Sequence, residues 1–314
     1  MNPPNSFAGS VNDIIIRFCP GEVTVAIDIV TAGFLSVDAI CTTRASAKDV
    51  PGGAALYSAL GASVFLRTGV VARVGSDFPQ GLLERLGARL DTRGIVQVDG
   101  GCTRFGITYD ETWNEQYDQI EFGVGQELVP ADMPGPFAGA RAYYIALMPP
   151  EQMLSWIEHV RENDAIVGGD TNAVFIHPQR EACVKVARGV DVFFPNHKEA
   201  TLLTGEENPE TAALKLAEHT SVVAVKDGAN GAYIAHDGRV IHLPGFHVDV
   251  IDTTGAGDAF AGAFMASYAK HGDVERAGWE ANATASFNVR RLGTRGLEKL
   301  DEGELPPYRE RPRA

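Results

Sequence analysis

The sequence predicts a layered α/β fold carrying a small β appendage. Short β-branched runs alternate with runs of helical period along most of the chain, as expected when strands and helices take turns. Between residues 103 and 122 the texture switches to strict alternation, the mark of strands with one face in and one face out. At 314 residues, length alone allows two domains or one long α/β unit. Hydrophobic residues at 45% and charged residues at 22% suit a packed core and exclude wholesale disorder.

The elements follow in order. Residues 23–33 read as a first strand, and 53–66, rich in Ala and Leu, as a helix opening behind Gly52-Gly53. A strand is expected at 69–74 and a helix at 79–89. Residues 103–110 and 117–122 alternate, with Phe105, Ile107 and Tyr109 on one face, and Thr112-Trp113-Asn114-Glu115 lies between them. That reads as an exposed antiparallel hairpin inserted into the βα pattern. The rhythm then resumes with a strand at 142–147, a helix at 151–161, and strands at 165–169, 190–194 and 222–226. The last of these runs into Gly228-Ala229-Asn230-Gly231, and helical period dominates 257–271 and 274–289. Residues 1–22 read as a polar extension and 301–314 as a loose tail.

Composition narrows the function. A net charge of −14 repels nucleic acid and anionic membrane surfaces, so neither is an expected partner. The four cysteines, Cys19, Cys41, Cys102 and Cys183, are scattered without a CxxC pair, which argues for reduced thiols and against structural zinc. The apolar run Ile14-Ile15-Ile16 is bracketed by Asp13 and Arg17, far short of the roughly 18 residues of a membrane span. A cytoplasmic protein is expected. Gly precedes none of the lysines, so there is no Walker P-loop. No GxGxxG follows the first strand, and neither GxSxG nor HExxH occurs.

The chemistry concentrates at Asp252-Thr253-Thr254-Gly255-Ala256-Gly257-Asp258-Ala259-Phe260. Three small residues run straight into an apolar helix. Unpaired N–H groups at a helix N-terminus, with no side chain in the way and a positive dipole end behind them, make an anion hole suited to a phosphoryl group. Asp258 sits in the first turn beside that hole, where a carboxylate can take a proton from an attacking hydroxyl. The plain alternative is a glycine turn and a helix cap.

This nine-residue string resembles the C-terminal signature of the ribokinase-like, or PfkB, carbohydrate kinase family. Other segments resemble the family in the same order over residues 23–300. The resemblance implies a three-layer fold, with a mostly parallel central sheet between helices and a small antiparallel lid from about 36–50 and 103–123. It also implies transfer of the γ-phosphoryl of ATP to a hydroxyl of a sugar or polyol. Asp258 would be the general base, and Gly255, Ala256 and Gly257 the anion hole. Gly52-Gly53 resembles the di-glycine substrate loop, and Asp38 the strand-end carboxylate that binds substrate hydroxyls. Asn196-His197-Lys198-Glu199 resembles the motif that organises Mg²⁺, Glu199 acting through water, although Asn196 and Glu199 also match a helix-capping pattern. Lys226, Gly228 and Gly231 resemble the turn beside the nucleotide, and Asn282 joins that set. Asp252 and the Thr254 carbonyl would hold K⁺, with residues 293–296 closing over it. Arg104 and Tyr109 would reach into the site from the hairpin, and a homodimer through the lid is implied.

One position departs from the family. The di-glycine loop there runs Gly-Gly-x-x-x-Asn, and this chain has Tyr57 at the Asn. A phenol cannot offer two amide donors and a carbonyl, so a simple ribose-like pocket is in doubt. The rival readings are a nucleoside kinase with a base pocket from Phe34, Tyr57 and Phe105, and a catalytically silent nucleotide-binding relative.

Overall fold

A computed structural model describes residues 26–79, 81–162 and 164–310. The extension at 1–22 with Ile14–Ile16 and Cys19, the start of the expected first strand at 23–25, and the last four residues of the tail lie outside the described residues.

The chain opens with β1 (Ile29–Ala32), then β2 (Ser36–Cys41), β3 (Ser46–Gly52) and α1 (Ala54–Ala62). β4 (Thr68–Gly75), α2 (Leu82–Gly87) and β5 (Asp91–Val98) follow, then β6 (Arg104–Tyr109), β7 (Glu115–Glu121) and β8 (Ala142–Ile145). Next come α3 (Pro150–Val160), β9 (Ile166–Gly169), α4 (Ala173–Gly189), β10 (Val192–Phe193), α5 (His197–Thr204) and α6 (Pro209–Ala217). β11 (Val222–Lys226), β12 (Ala232–His236), β13 (Arg239–Leu243), α7 (Ala256–His271) and α8 (Val274–Asn288) complete it. Nine strands form one sheet in the order β13-β12-β11-β10-β9-β8-β1-β4-β5, in which β12 is antiparallel to both of its neighbours and every other pairing is parallel.

The central strands are apolar on both sides, and successive residues serve opposite layers. Ile29, Val70, Tyr144, Phe194 and Ala224 pack with α1 and α7, while Val30, Val71, Tyr143, Phe193 and Val223 pack against Trp156 of α3 and Ile176 of α4. The result is the three-layer α/β fold that the sequence predicts. α1 and α7 cross closely enough that a Cβ on Gly262 would run into the Ser58 carbonyl. None of the helices among the described residues is long and apolar enough to cross a membrane.

The hairpin at 103–122 is not a free insertion. It is half of a second sheet, ordered β3-β2-β6-β7, whose own core is Ile40, Val50, Ile107 and Tyr109. Three large elements escape the sequence reading for physical reasons. β5 is an edge strand with Asp91 and Arg93 paired at its start, so its apolar run is short. α4 holds Pro178, and Gln179 leaves helical geometry there, which breaks the period. α6 carries a weak apolar stripe, with Ala212 and Ala213 as its buried residues. The expected helix at 79–89 shortens to α2 because Gly81 before it adopts φ +77°.

Candidate active site

In a parallel sheet, ligands gather at the carboxyl ends of the strands where the chain changes direction. Here β1 lies between β4, reached first, and β8, reached after β5. The crevice outside β1 and β8 is an open cleft of about 820 Å³, bounded by Phe34 after β1, Leu147 after β8 and Asn172 after β9. The small sheet forms its roof through Phe105, Tyr117 and Phe122, and α1 and α7 its floor through Tyr57, Gly255 and Asp258.

Gly255 opens α7 with φ +70°, a left-handed conformation that favours glycine. A Cβ there would also run into the Tyr57 ring, so α1 and the α7 turn meet face to face. The Ala256 N–H donates to the Thr253 carbonyl at 3.1 Å, inside the turn. The sequence counts Ala256 among the anion-hole donors, and the structure takes it out. The N–H groups of Gly255, Gly257 and Asp258 have no partner among the described residues. The Lys226 ammonium lies beside them, 3.2 Å from where a Cβ on Gly257 would be.

The charges behind this turn are buried together. Lys226 Nζ donates to Asp170 Oδ2 at 2.5 Å, and Asp170 Oδ1 accepts the Thr171 N–H at 2.8 Å. Burial and the Asp170 carboxylate push Asp258 up to about 7, against the pull of Lys226. A carboxylate near neutrality is a competent proton acceptor at neutral pH. Burial and Asp170 push Glu199 up to about 8. Asn196 and Glu199 form a reciprocal capping box at the start of α5. Asn196 Oδ1 accepts the Glu199 N–H at 2.9 Å, and Glu199 Oε2 accepts the Asn196 N–H at 2.8 Å. The Asn196 backbone also bridges to that of Lys226, whose side chain runs on to the α7 turn. Two buried carboxylates, Asp170 and Glu199, and the half-buried Asp258 thus act on one ammonium, and that surplus negative charge suits a divalent cation.

On the acceptor side, Asp38 is 2% exposed, and its Oδ1 accepts the Phe105 N–H at 3.2 Å. Burial pushes it up to about 7. Gly52 lies behind it, since a Cβ there would collide with the carboxylate, and Gly53 lines the cleft at φ +94°. Tyr57 lines the cleft, while its hydroxyl is buried with no partner among the described residues. Arg104 does not line it. Its guanidinium reaches Asp77 at 2.8 Å and Asp49 at 3.6 Å, on the far side of the strand from Phe105.

Two expected groups lie at the margins. Gly228 and Gly231 shape a tight turn at φ +55° and +95°, packed on residues 243–245. Asn282 donates to the Leu243 carbonyl at 3.1 Å, so it ties that packing to α8. Asp252 is 1% exposed, with Oδ1 accepting the Thr254 N–H at 2.9 Å and Oδ2 the Gly293 N–H at 2.7 Å. Asn288 Nδ2 donates to the Thr254 carbonyl at 2.8 Å, which leaves Asn288 Oδ1 buried without a partner. A buried acceptor oxygen with no donor among the described residues, on the side chain that holds the Thr254 carbonyl, fits a cation. Sequence reasoning missed Asn172, Tyr117 and Phe122, which line the cleft, and Asp170 and Asn288, which bond Lys226 and the Thr254 carbonyl. The signal for Asp170 was its place directly after the strand at 165–169.

What this crevice can do is move a phosphoryl group onto a hydroxyl, and the protein is a phosphotransferase of that kind. The pfkB family carbohydrate kinase model matches residues 19–300, and the chain belongs to this family. A cytidine kinase of Thermococcus kodakarensis is 28% identical over 257 residues, 79% of this chain and 91% of its own. An ATP-dependent ribose-1-phosphate kinase of Halopiger xanaduensis is 28% identical over 284 residues, 84% and 88% of the two chains. An Escherichia coli protein assigned as a ribokinase II, solved with ATP and Mg²⁺, superposes with a TM-score of 0.74 at 23% identity, over 86% of this chain and 96% of its own. That superposition shows the fold. Within the family the protein is a sugar or nucleoside kinase.

Proposed function

We propose that the protein transfers the γ-phosphoryl of ATP to a hydroxyl of a nucleoside in the cytoplasm. The observation that carries the nucleoside over a simple sugar or polyol is the aromatic roof of the cleft. Phe105 packs edge-on against Tyr117 and Phe122, and Phe122 leans on Phe34, giving flat apolar faces where a base can stack. The cytidine kinase among the relatives supports this reading.

In this mechanism Asp38 binds acceptor hydroxyls with Gly52 and Gly53 shaping its loop, and Asp258 takes the proton of the attacking one. A bond forms between that oxygen and the γ-phosphorus, the bond to the β–γ bridging oxygen breaks, and ADP leaves with the electron pair. The free N–H groups of Gly255, Gly257 and Asp258 stabilise the oxygens of the group in flight. Mg²⁺ would be organised by Asn196 and Glu199, largely through water, and supplies charge neutralisation at the phosphates. Lys226 and the Gly228–Gly231 turn flank the nucleotide. K⁺ would sit against Asp252, the Thr254 carbonyl and Asn288 Oδ1, steadying the turn that precedes α7. The small sheet acts as a lid. Its outer strand β7, exposed along its whole length, is the edge through which two copies would pair.

The test is ADP release from Mg-ATP against a panel of nucleosides, sugars and polyols, each compared with the acceptor-free rate. A nucleoside should give the highest kcat/KM. A sugar or inositol ahead of every nucleoside would overturn the acceptor assignment, and no acceptor-dependent release would overturn the mechanism.

A further inference from the structure

Asp170 has no place in the mechanism above, yet it is among the most deeply enclosed polar groups of the site, at 4% exposure. It directly follows the carboxyl end of β9, two residues before Asn172, which lines the crevice. Its carboxylate is fixed from three sides: the Thr171 N–H at 2.8 Å, Lys226 Nζ at 2.5 Å and the Tyr144 hydroxyl at 3.4 Å. Tyr144 is itself held edge-on by Phe194, so the acceptor oxygens have little freedom to move. Lys226 carries its ammonium from the last residue of β11 to the first turn of α7. A lysine side chain has four rotatable carbons and loses them only when something anchors its tip. Here Asp170 is the anchor, and the ammonium stays beside the unpaired N–H groups of Gly257 and Asp258. Burial opposes the charge on Lys226, but the Asp170 and Glu199 carboxylates outweigh it and keep the group protonated.

We infer that Asp170 is a positioning residue for phosphoryl transfer, holding the Lys226 ammonium where the phosphoryl group passes from ADP to the acceptor. Lys226 is thereby placed on the transferring group and not only beside the nucleotide. Neither residue gains or loses a proton in the step. The ammonium balances charge that grows on the phosphoryl and bridging oxygens as the bond to ADP breaks, and the proton of the acceptor still goes to Asp258. The inference rests on the reading that the phosphoryl group sits at the first turn of α7.

The experiment compares Asp170→Asn, Asp170→Glu, Lys226→Met and the double variant Asp170→Asn/Lys226→Met with the wild-type chain, using its best acceptor. Asp170→Asn should lower kcat about 10²-fold, the usual weight of one preorganised electrostatic group. KM for the acceptor should stay within about twofold. Asp170→Glu, which keeps the charge, should recover part of the loss. The double variant should be no slower than Lys226→Met alone, because both changes remove one device. Losses that multiply, a loss confined to KM, or near wild-type kcat in Asp170→Asn would overturn the inference. If Asp170→Asn leaves an unpaired buried lysine and does not fold, the double variant carries the test, since it removes both charges together. It must fold and match Lys226→Met; an unfolded or slower double variant assigns Asp170 to the scaffold. A wild-type chain that shows no acceptor-dependent ADP release breaks the underlying reading, a result distinct from any of these.

Discussion

The two walls of the cleft are built on opposite principles. The phosphoryl wall is made of backbone and buried charge from rigid elements: the turn at Gly255, the first residues of α7, and Lys226 and Asp170 at strand ends. The acceptor wall is made largely of side chains from the small sheet, where β7 is exposed along its whole length and Tyr117 and Ile120 stand open at 38% and 44%. Phosphates are alike in every substrate and can be met by fixed donors. Acceptors differ, and the small sheet meets them with side chains around a core of its own, tied to the phosphoryl turn through the Tyr109–Thr254 hydrogen bond. On the proposed reading, chemistry falls to a backbone turn and specificity to side chains of the small sheet, with Tyr109 and Thr254 joining the two.

The sharpest break in that comparison is Asp258→Asn. It should keep the fold and ATP binding and lose about 10²–10⁴ in turnover. Thermal shift with ATP checks the first and ADP release the second; near wild-type turnover would remove Asp258 as the base.

Next in size is the pH response. Asp258 must be ionised to accept a proton, and it stands at about 7 in the free enzyme. Activity is therefore lost as pH falls through that value, and kcat/KM should rise about tenfold per unit below it and level off above. Asp38 at about 7 and Glu199 at about 8 titrate in the same window, so the limb belongs to the group and not to one residue. A flat profile from pH 6 to 8 would contradict the assignment.

Tyr117→Ala tests the acceptor wall alone. Loss of one stacking face should raise KM for a nucleoside about tenfold while KM for ATP stays level. Equal effects on both substrates would mean that the two walls are not separate.

The smallest effect is expected from K⁺. Millimolar K⁺ should raise the melting temperature by a degree or so, by the ordinary linkage of a weakly bound ion, and Asn288→Ala should abolish the difference from a cation-free buffer. An identical response in the variant would clear Asn288 Oδ1 of any part in the site.

The same division explains what could be read from sequence. The anion hole is a contiguous string, because a left-handed glycine, a free helix end and a base must follow one another along the backbone. Asp252 to Phe260 therefore announces itself. The acceptor wall is assembled from residues 34, 57, 105, 117, 122 and 172; the first three could be offered from sequence as a base pocket, though each also reads as core, and the other three carried no signal. Asp170 is marked only by its place after the strand at 165–169, since its meaning lies in Lys226, which reaches it from a strand two places along the sheet. Arg104 shows the converse error: strict alternation puts it on the face opposite Phe105, where Asp77 takes it, and the period already said so. Fold class was legible because periodicity survives in the central strands; it failed at α4, where Pro178 interrupts it.

The contact between Tyr57 and Gly255 has a consequence for how such a protein diversifies. The ring borders the acceptor space on one side and presses on the phosphoryl turn on the other. A substitution there that admits a new acceptor also disturbs the turn that performs the chemistry, so position 57 is a poor place to explore. On β6 only the far end carries such double duty, where Tyr109 accepts a hydrogen bond from Thr254 beside the turn; Phe105 and the residues of β7 make no hydrogen bond to it among the described residues. New acceptors would be won first on the roof of the cleft, with the floor inherited intact.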